Sequence, residues 1–329
     1  MEVCGTHSHE VARYGLRQLL PEELALLSGP GCPVCVTPTG QVDAAIELAR
    51  QPGVRVATFG DMMRVPGSES TLEKERARGA KVKVIFSPIE AVEMAADDTA
   101  EVALLAVGFE TTAPGVACAV IEARRRGLGN FSVLCAHKRM MPALDALLDE
   151  DEVEVDGLLA PGHVSTIIGA DAYAPLAEKY QTPVAVTGFE PDDILRGVLA
   201  LVEQLRDGRA EVANVYERSV APEGNVRAQE TMFEVFEPAD AEWRGLGVIP
   251  QGGLRLRDEC GHLEALARHN IQVKQGRDDP RCRCAEVLRG TLRPPECGAF
   301  GRVCTPAHPL GPCMVSSEGA CAAAFKYDG

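Results

Sequence analysis

Twelve cysteines in 329 residues are the groups best able to do chemistry here, and they are unevenly spread. Cys4, Cys32 and Cys35 lie near the start. Cys260, Cys282, Cys284, Cys297, Cys304, Cys313 and Cys321 lie near the end. Cys118 and Cys135 stand alone in apolar runs, where a cysteine behaves as a small buried hydrophobe. "CGTH" sets the soft thiolate of Cys4 three residues from the imidazole of His7, a donor set suited to iron, copper or zinc. The plainer reading is a buried thiol with His7 as its hydrogen-bond partner. "GPGCPVC" (29–35) holds Cys32 and Cys35 in a stiff Gly/Pro turn that is expected to be exposed. Cysteines at this spacing exchange between dithiol and disulfide. Half of a zinc site is the rival reading, with no evident second pair nearby.

Cys282, Cys297, Cys304 and Cys321 are separated by 14, 6 and 16 residues. Four thiolates suit zinc or an iron–sulfur cluster. Structural zinc sites usually carry paired C-x₂₋₄-C knuckles, and wide, uneven spacing favours [4Fe–4S]. Cys284 is an alternative to Cys282, because C-R-C offers two thiols two residues apart; Cys313 is left over. The surrounding tail is rich in Pro and Gly and builds little core, so a small module of this kind needs a metal or bridges.

Strands must position these groups. Apolar runs of strand length occur at 54–59, 82–87, 102–109, 131–137, 157–161 and 183–189, with helical spacing between them. Strands apolar on both faces and separated by helices build parallel sheet from βαβ units. The expected architecture is α/β, with two similar parallel-sheet domains and a small loop-rich C-terminal iron–sulfur module. The boundaries expected are 1–98, 99–215 and 216–329. Gly-Phe-Glu recurs at 108–110 and 188–190, each time after an apolar strand and before a helix. In open α/β sheets ligand-contacting residues gather at that edge. No phosphate-binding glycine motif follows any strand.

The formal charge of −15 argues against nucleic acid or an anionic membrane surface as partner. No apolar run approaches the ~20 residues that span a bilayer. "MEVCGTHSHE" has no basic stretch leading into an apolar one, so a cytoplasmic protein is expected.

The stretches "CGTH" (4–7), "GPGCPVCVTP" (29–38), "GFETT" (108–112), "PGHVSTIIG" (161–169), "GFEPDD" (188–193) and "CTPAHPLGPCMVSSEGAC" (304–321) together resemble the HypD family, which matures [NiFe]-hydrogenases. The resemblance covers nearly the whole chain. In the family a segment precedes CGTH, whereas this sequence has three residues there. The resemblance implies a scaffold on which an Fe(CN)₂CO unit is built before delivery, indirectly, to a hydrogenase large subunit. It implies a HypC-type small chaperone as partner and a HypE-type thiocarboxamide as cyanide donor. Cys4 would be the iron ligand, Cys32 and Cys35 the redox pair, and Cys282, Cys297, Cys304 and Cys321 the ligands of [4Fe–4S]. His7, Thr111, Thr112, His163 and Ser165 would line the crevice. Two other functions compete: a cluster-dependent protein disulfide reductase, which has no use for Cys4 and His7, and a zinc-stabilised adaptor.

Overall fold

The computed structural model describes residues 1–327. Strands β1 (Val54–Thr58), β2 (Lys81–Val84), β3 (Glu101–Ala106) and β4 (Phe131–Cys135) form one sheet in the order β2–β1–β3–β4, all parallel. Val102 through Ala106 is buried along its whole length, as a central parallel strand must be. A second parallel sheet has the order β5–β6–β7, from Leu158–Pro161, Val184–Thr187 and Val212–Asn214.

The outer edge of β5 is closed by the first three residues. Val3 N–H donates to Leu159 O at 3.1 Å and Leu159 N–H to Met1 O at 2.8 Å. On the other side Glu2 N–H donates to Leu27 O and Gly29 N–H to Glu2 O, each at 2.8 Å. Residues 1–3 are thus an internal ribbon between residues 27–29 and β5. This changes the expected organisation. A division near residue 98 falls inside the first sheet, whose strands lie on both sides of it, while CGTH and GPGCPVC attach to the second sheet. Apolar runs locate strands; they do not say which strands pair.

The region after residue 215, expected to hold few long elements, contains an antiparallel hairpin of β8 (Phe236–Trp243) and β9 (Gly247–Leu256). It docks on the first sheet through Arg139 N–H to Gly252 O at 2.9 Å and Leu254 N–H to His137 O at 3.2 Å. Trp243 at its tip is buried, donates from its indole to Gly252 O at 2.8 Å, and stacks on Phe109 with centroids 5.8 Å apart. The tail then winds through short helices, and its last one (Ala320–Tyr327) lies along the first helix (Gly5–Arg13). His9 fastens the two: one ring nitrogen donates to Ser317 O and the other accepts from Tyr327 O–H, both at 3.1 Å. No helix among the described residues is long and apolar enough to cross a membrane.

Glycine allows the closest approach. A Cβ on Gly31 would overlap the backbone of Cys4 and Val3. Gly31→Ala should therefore lower the unfolding free energy by about 1–3 kcal/mol, the usual effect of forcing atoms into a filled site. Gly129→Ala, with open space around it, should leave the urea midpoint almost unchanged. Equal midpoints for the two variants would contradict this packing.

Candidate functional site

Cys4 is the residue before the first helix, and its thiol is buried. Burial, reinforced by the nearby Glu318 carboxyl, pushes the thiol up to about 12; the backbone N–H groups of His7 and Thr6 act in the opposite direction. Glu318 reaches this point from the tail and accepts from the Thr6 hydroxyl at 3.0 Å. Gly5 has no side chain because Glu318 occupies the space. His7 is fully buried. Its Nε2 lies 2.8 Å from the carbonyl of Gly188, which can only accept, so Nε2 carries the proton. Its Nδ1 is a buried lone pair without a partner in the structure, and burial holds the imidazole down at about 4. The ring of Phe189 lies 5.0 Å from that of His7 and 4.0 Å from that of the exposed His163.

Gly31, seated on Cys4, is followed at once by Cys32, which is joined to Cys35 as a disulfide. Cys32 caps the short helix Pro33–Val36 and accepts from Cys35 N–H at 3.1 Å. The pair was expected to be exposed; Cys32 and Cys35 are 3% and 0% exposed. The hairpin and the tail cover them. Arg244 N–H donates to Val36 O at 2.8 Å. Its guanidinium donates to Thr37 O at 3.0 and 3.2 Å, to the Thr39 hydroxyl at 2.8 Å and to Asp278. The tail packs on the same helix through Pro312–Met314 and Cys284–Arg289.

Those tail segments carry the remaining thiols. One pocket is lined by Cys282, Cys284, Cys297, Cys304, Cys313 and Cys321, with Phe300 and Met314 among its apolar walls. Gly311 leaves room for the Cys282 sulfur, which a Cβ there would strike. Leu310 N–H donates to the Cys304 sulfur at 3.5 Å. Cys284 and Cys313 stand sulfur to sulfur at 2.6 Å. Hydrogen bonds from Cys282 and Cys313 pull the Cys284 thiol down, and those two donors are pushed up in turn. Among the described residues no three His, Cys, Asp or Glu side chains converge on a single metal ion. Thiolates are the donor set that structural zinc and iron–sulfur clusters both take, and the apolar walls of this pocket fit either.

The other expected site residues are divided between the sheets. Ser165 follows β5; its hydroxyl donates to Pro161 O at 2.8 Å and lies 2.9 Å from the Tyr173 hydroxyl. Thr111 and Thr112 precede the helix Ala113–Arg125 on the first sheet. Thr111 is exposed and the Thr112 hydroxyl is held by Phe109 O at 3.1 Å, so neither is drawn to Cys4 by a hydrogen bond of its own. Glu110 is buried, and both its oxygens face Met140 N–H, at 3.0 and 3.2 Å. Glu190, its counterpart in the second Gly-Phe-Glu, is exposed. Cys118 is exposed, contrary to expectation, and Cys135 is half-buried with its thiol 3.1 Å from Leu254 O. Sequence reasoning missed Glu318, Tyr173 and Arg244. Glu318 lies in the quoted tail motif, whereas no spacing signal marks the other two.

Two parallel sheets, with thiols gathered at two adjoining places, define a cysteine-rich α/β scaffold. Comparison with known proteins narrows the class. A family model described as "HypD: Hydrogenase formation hypA family" matches residues 1–328. Hydrogenase maturation factor HypD of Azotobacter vinelandii is 47% identical over 99% of this chain and 88% of its own length. The factors of the same name from Rhizobium leguminosarum and Escherichia coli are 46% and 45% identical over 99% of this chain and 87% and 88% of theirs. The chain belongs to the HypD family of hydrogenase maturation factors.

Burial pushes Glu110 from the ordinary 4.5 up to about 7. The folded state therefore holds this proton more tightly than the unfolded state. Its stabilising contribution is complete below about pH 4.5 and is lost as pH rises through about 7. Glu110→Gln keeps an acceptor for Met140 N–H but cannot titrate. Urea titrations at these two pH values should show the variant gaining on the parent by about 3 kcal/mol as pH rises, at about 1.4 kcal/mol per unit. A constant difference between the two proteins would contradict it.

Proposed function

We propose that this chain is the scaffold on which the Fe(CN)₂CO unit of [NiFe]-hydrogenase is assembled, the iron unit being its cargo. The observation that carries this reading is the seat of Gly31 on the Cys4 backbone. It puts a soft iron-anchoring thiol beside a two-electron store. Iron bearing strong-field cyanide and CO still needs a soft protein donor, and Cys4 is the thiol left once Cys32 and Cys35 are paired. His7 offers the buried Nδ1 lone pair for orienting the unit. His163 stacks on Phe189, which packs on His7; Thr111, Thr112 and Ser165 are assigned to the crevice by the family resemblance.

A HypE-type thiocarboxamide becomes a thiocyanate on loss of water. Releasing cyanide from a thiocyanate takes two electrons, which the Cys32–Cys35 dithiol provides as it closes to a disulfide. Cys282, Cys297, Cys304 and Cys321 would hold [4Fe–4S], which supplies single electrons when bound. Cys284, pressed against Cys313, is assigned to that thiol pair rather than to the cluster. A HypC-type chaperone shares the iron and carries it towards the hydrogenase large subunit. A disulfide reductase acting on other proteins fits less well, because it leaves the buried Cys4 thiol and the unpartnered His7 Nδ1 without a role.

Cys4→Ala, isolated anaerobically with its small partner, should keep the broad absorption at roughly 400 nm of a thiolate-ligated cluster and lose the CN and CO infrared bands. Bands at full intensity in that variant would place the iron elsewhere. Cys282→Ala should lose the visible absorption and Cys284→Ala should keep it; the reverse result would exchange their roles.

A further inference from the structure

A cyanide donor and electrons must both reach Cys32 and Cys35, which are buried. One end of their turn cannot yield. Gly31 is seated on the Cys4 backbone, and Gly5 N–H donates to Gly31 O at 2.9 Å. The other end is held differently. The last carbonyls of a helix need partners from outside it. Those of Val36 and Thr37 take theirs from Arg244. Its backbone N–H donates to Val36 O at 2.8 Å, and its guanidinium donates to Thr37 O at 3.0 and 3.2 Å. Val36 follows Cys35 directly in the chain.

Arg244 is itself held from the surface. Its side chain is 6% exposed, whereas that of its counter-ion Asp278 is 57% exposed. Thr39 links the two, accepting from Arg244 at 2.8 Å and donating to Asp278. Asp278 belongs to residues 271–279, which form no helix or strand and are mostly exposed. Only Ile271 among them is buried. Gly276 lies against Thr39 and Gly40, where a Cβ would overlap backbone. Arg277 N–H donates to the Ser68 hydroxyl and its guanidinium to Glu69, each at 2.8 Å. The other covers are anchored more firmly. Trp243 is buried and stacked on Phe109, and Pro312, Cys313 and Met314 are all buried. A segment with few buried apolar contacts is where a fold opens most readily.

We propose that residues 271–279 are a strap over the Cys32–Cys35 pair, latched by Asp278 on Arg244 and Thr39, and that its release lets reactants reach the pair. Release frees the guanidinium and loosens the Val36–Thr37 end of the helix, while the Gly31 end stays in place. The strap also leads straight to the tail thiols, since Cys282 N–H donates to Asp279 O at 2.9 Å. Arg244 and Asp278 touch no reactant, so both are positioning residues. The inference rests on the function proposed above in one respect, that Cys32 and Cys35 must be reached.

The test uses the full chain, purified without oxygen and with Cys32 and Cys35 oxidised, and dithiothreitol as the probe. The reaction breaks the S–S bond and gives two thiols and cyclic oxidised dithiothreitol. Timed alkylation and mass spectrometry follow it at urea concentrations below the unfolding transition. In the parent the rate should be slow and nearly independent of urea, because a local opening exposes little surface. Asp278→Ala should raise the rate about tenfold, the effect of losing one charge-assisted hydrogen bond. Its urea midpoint and the alkylation rate of the exposed Cys118 should match those of the parent. Arg244→Lys keeps the charge but cannot span Thr37 and Asp278 together, and should also react faster. A parent-like rate in Asp278→Ala would overturn the strap. So would a parent rate that climbs with urea as steeply as global unfolding does. If the native parent stays oxidised while the urea-unfolded chain is reduced, the redox role of the pair falls and the strap falls with it. Iron has no part in this readout, so the infrared test on Cys4→Ala stands or falls separately.

Discussion

Gly31 lies so close to Cys4 that a single methyl group between them would overlap the backbone. The ladder around it is as tight: Gly5 N–H donates to Gly31 O at 2.9 Å, and Gly29 is pressed against Met1 and Val3. From this contact the rest of the site follows. It fixes the disulfide loop against the residue that opens the first helix. It also forces the loop inside the molecule, where the Trp243–Arg244 end of the hairpin and the C-terminal turns must close over it.

Burial then sets the chemistry. A thiol that is neutral and far from water, as Cys4 is, becomes a ligand only when a metal displaces its proton. The thiol-lined pocket of the tail packs against the very helix that carries Cys35. The N-terminal and C-terminal thiols, widely separated in sequence, are therefore one neighbourhood, and Glu318 joins them by reaching from the tail to Cys4.

Much of this was legible in the sequence. β3 and β4 declare themselves because both faces are apolar, and the two Gly-Phe-Glu turns fall where β3 and β6 end. The tail cysteines drew attention because the segment around them is too poor in core to stand alone. What was hidden has physical reasons. Residues 1–3 are too few to show a strand period, so their place beside β5 was invisible. Pro238 within β8 disguised a strand whose burial alternates along its length. The glycines of GPGCPVC read as an exposed turn, although their role is to let two backbones touch. Tyr173 carries no motif, and only the fold shows its hydroxyl beside Ser165.

The adjacency of Cys4 to the Cys32–Cys35 pair is most directly tested by infrared spectroscopy of the chain co-purified with the HypC-type chaperone proposed above, with the pair first oxidised and then reduced. Iron held by Cys4 should feel the change, so the CN and CO bands should shift between the two states. They should stay fixed when Cys32 and Cys35 are both replaced by Ser. Bands that are identical in the oxidised and reduced parent protein would contradict a shared site for iron anchoring and electron storage.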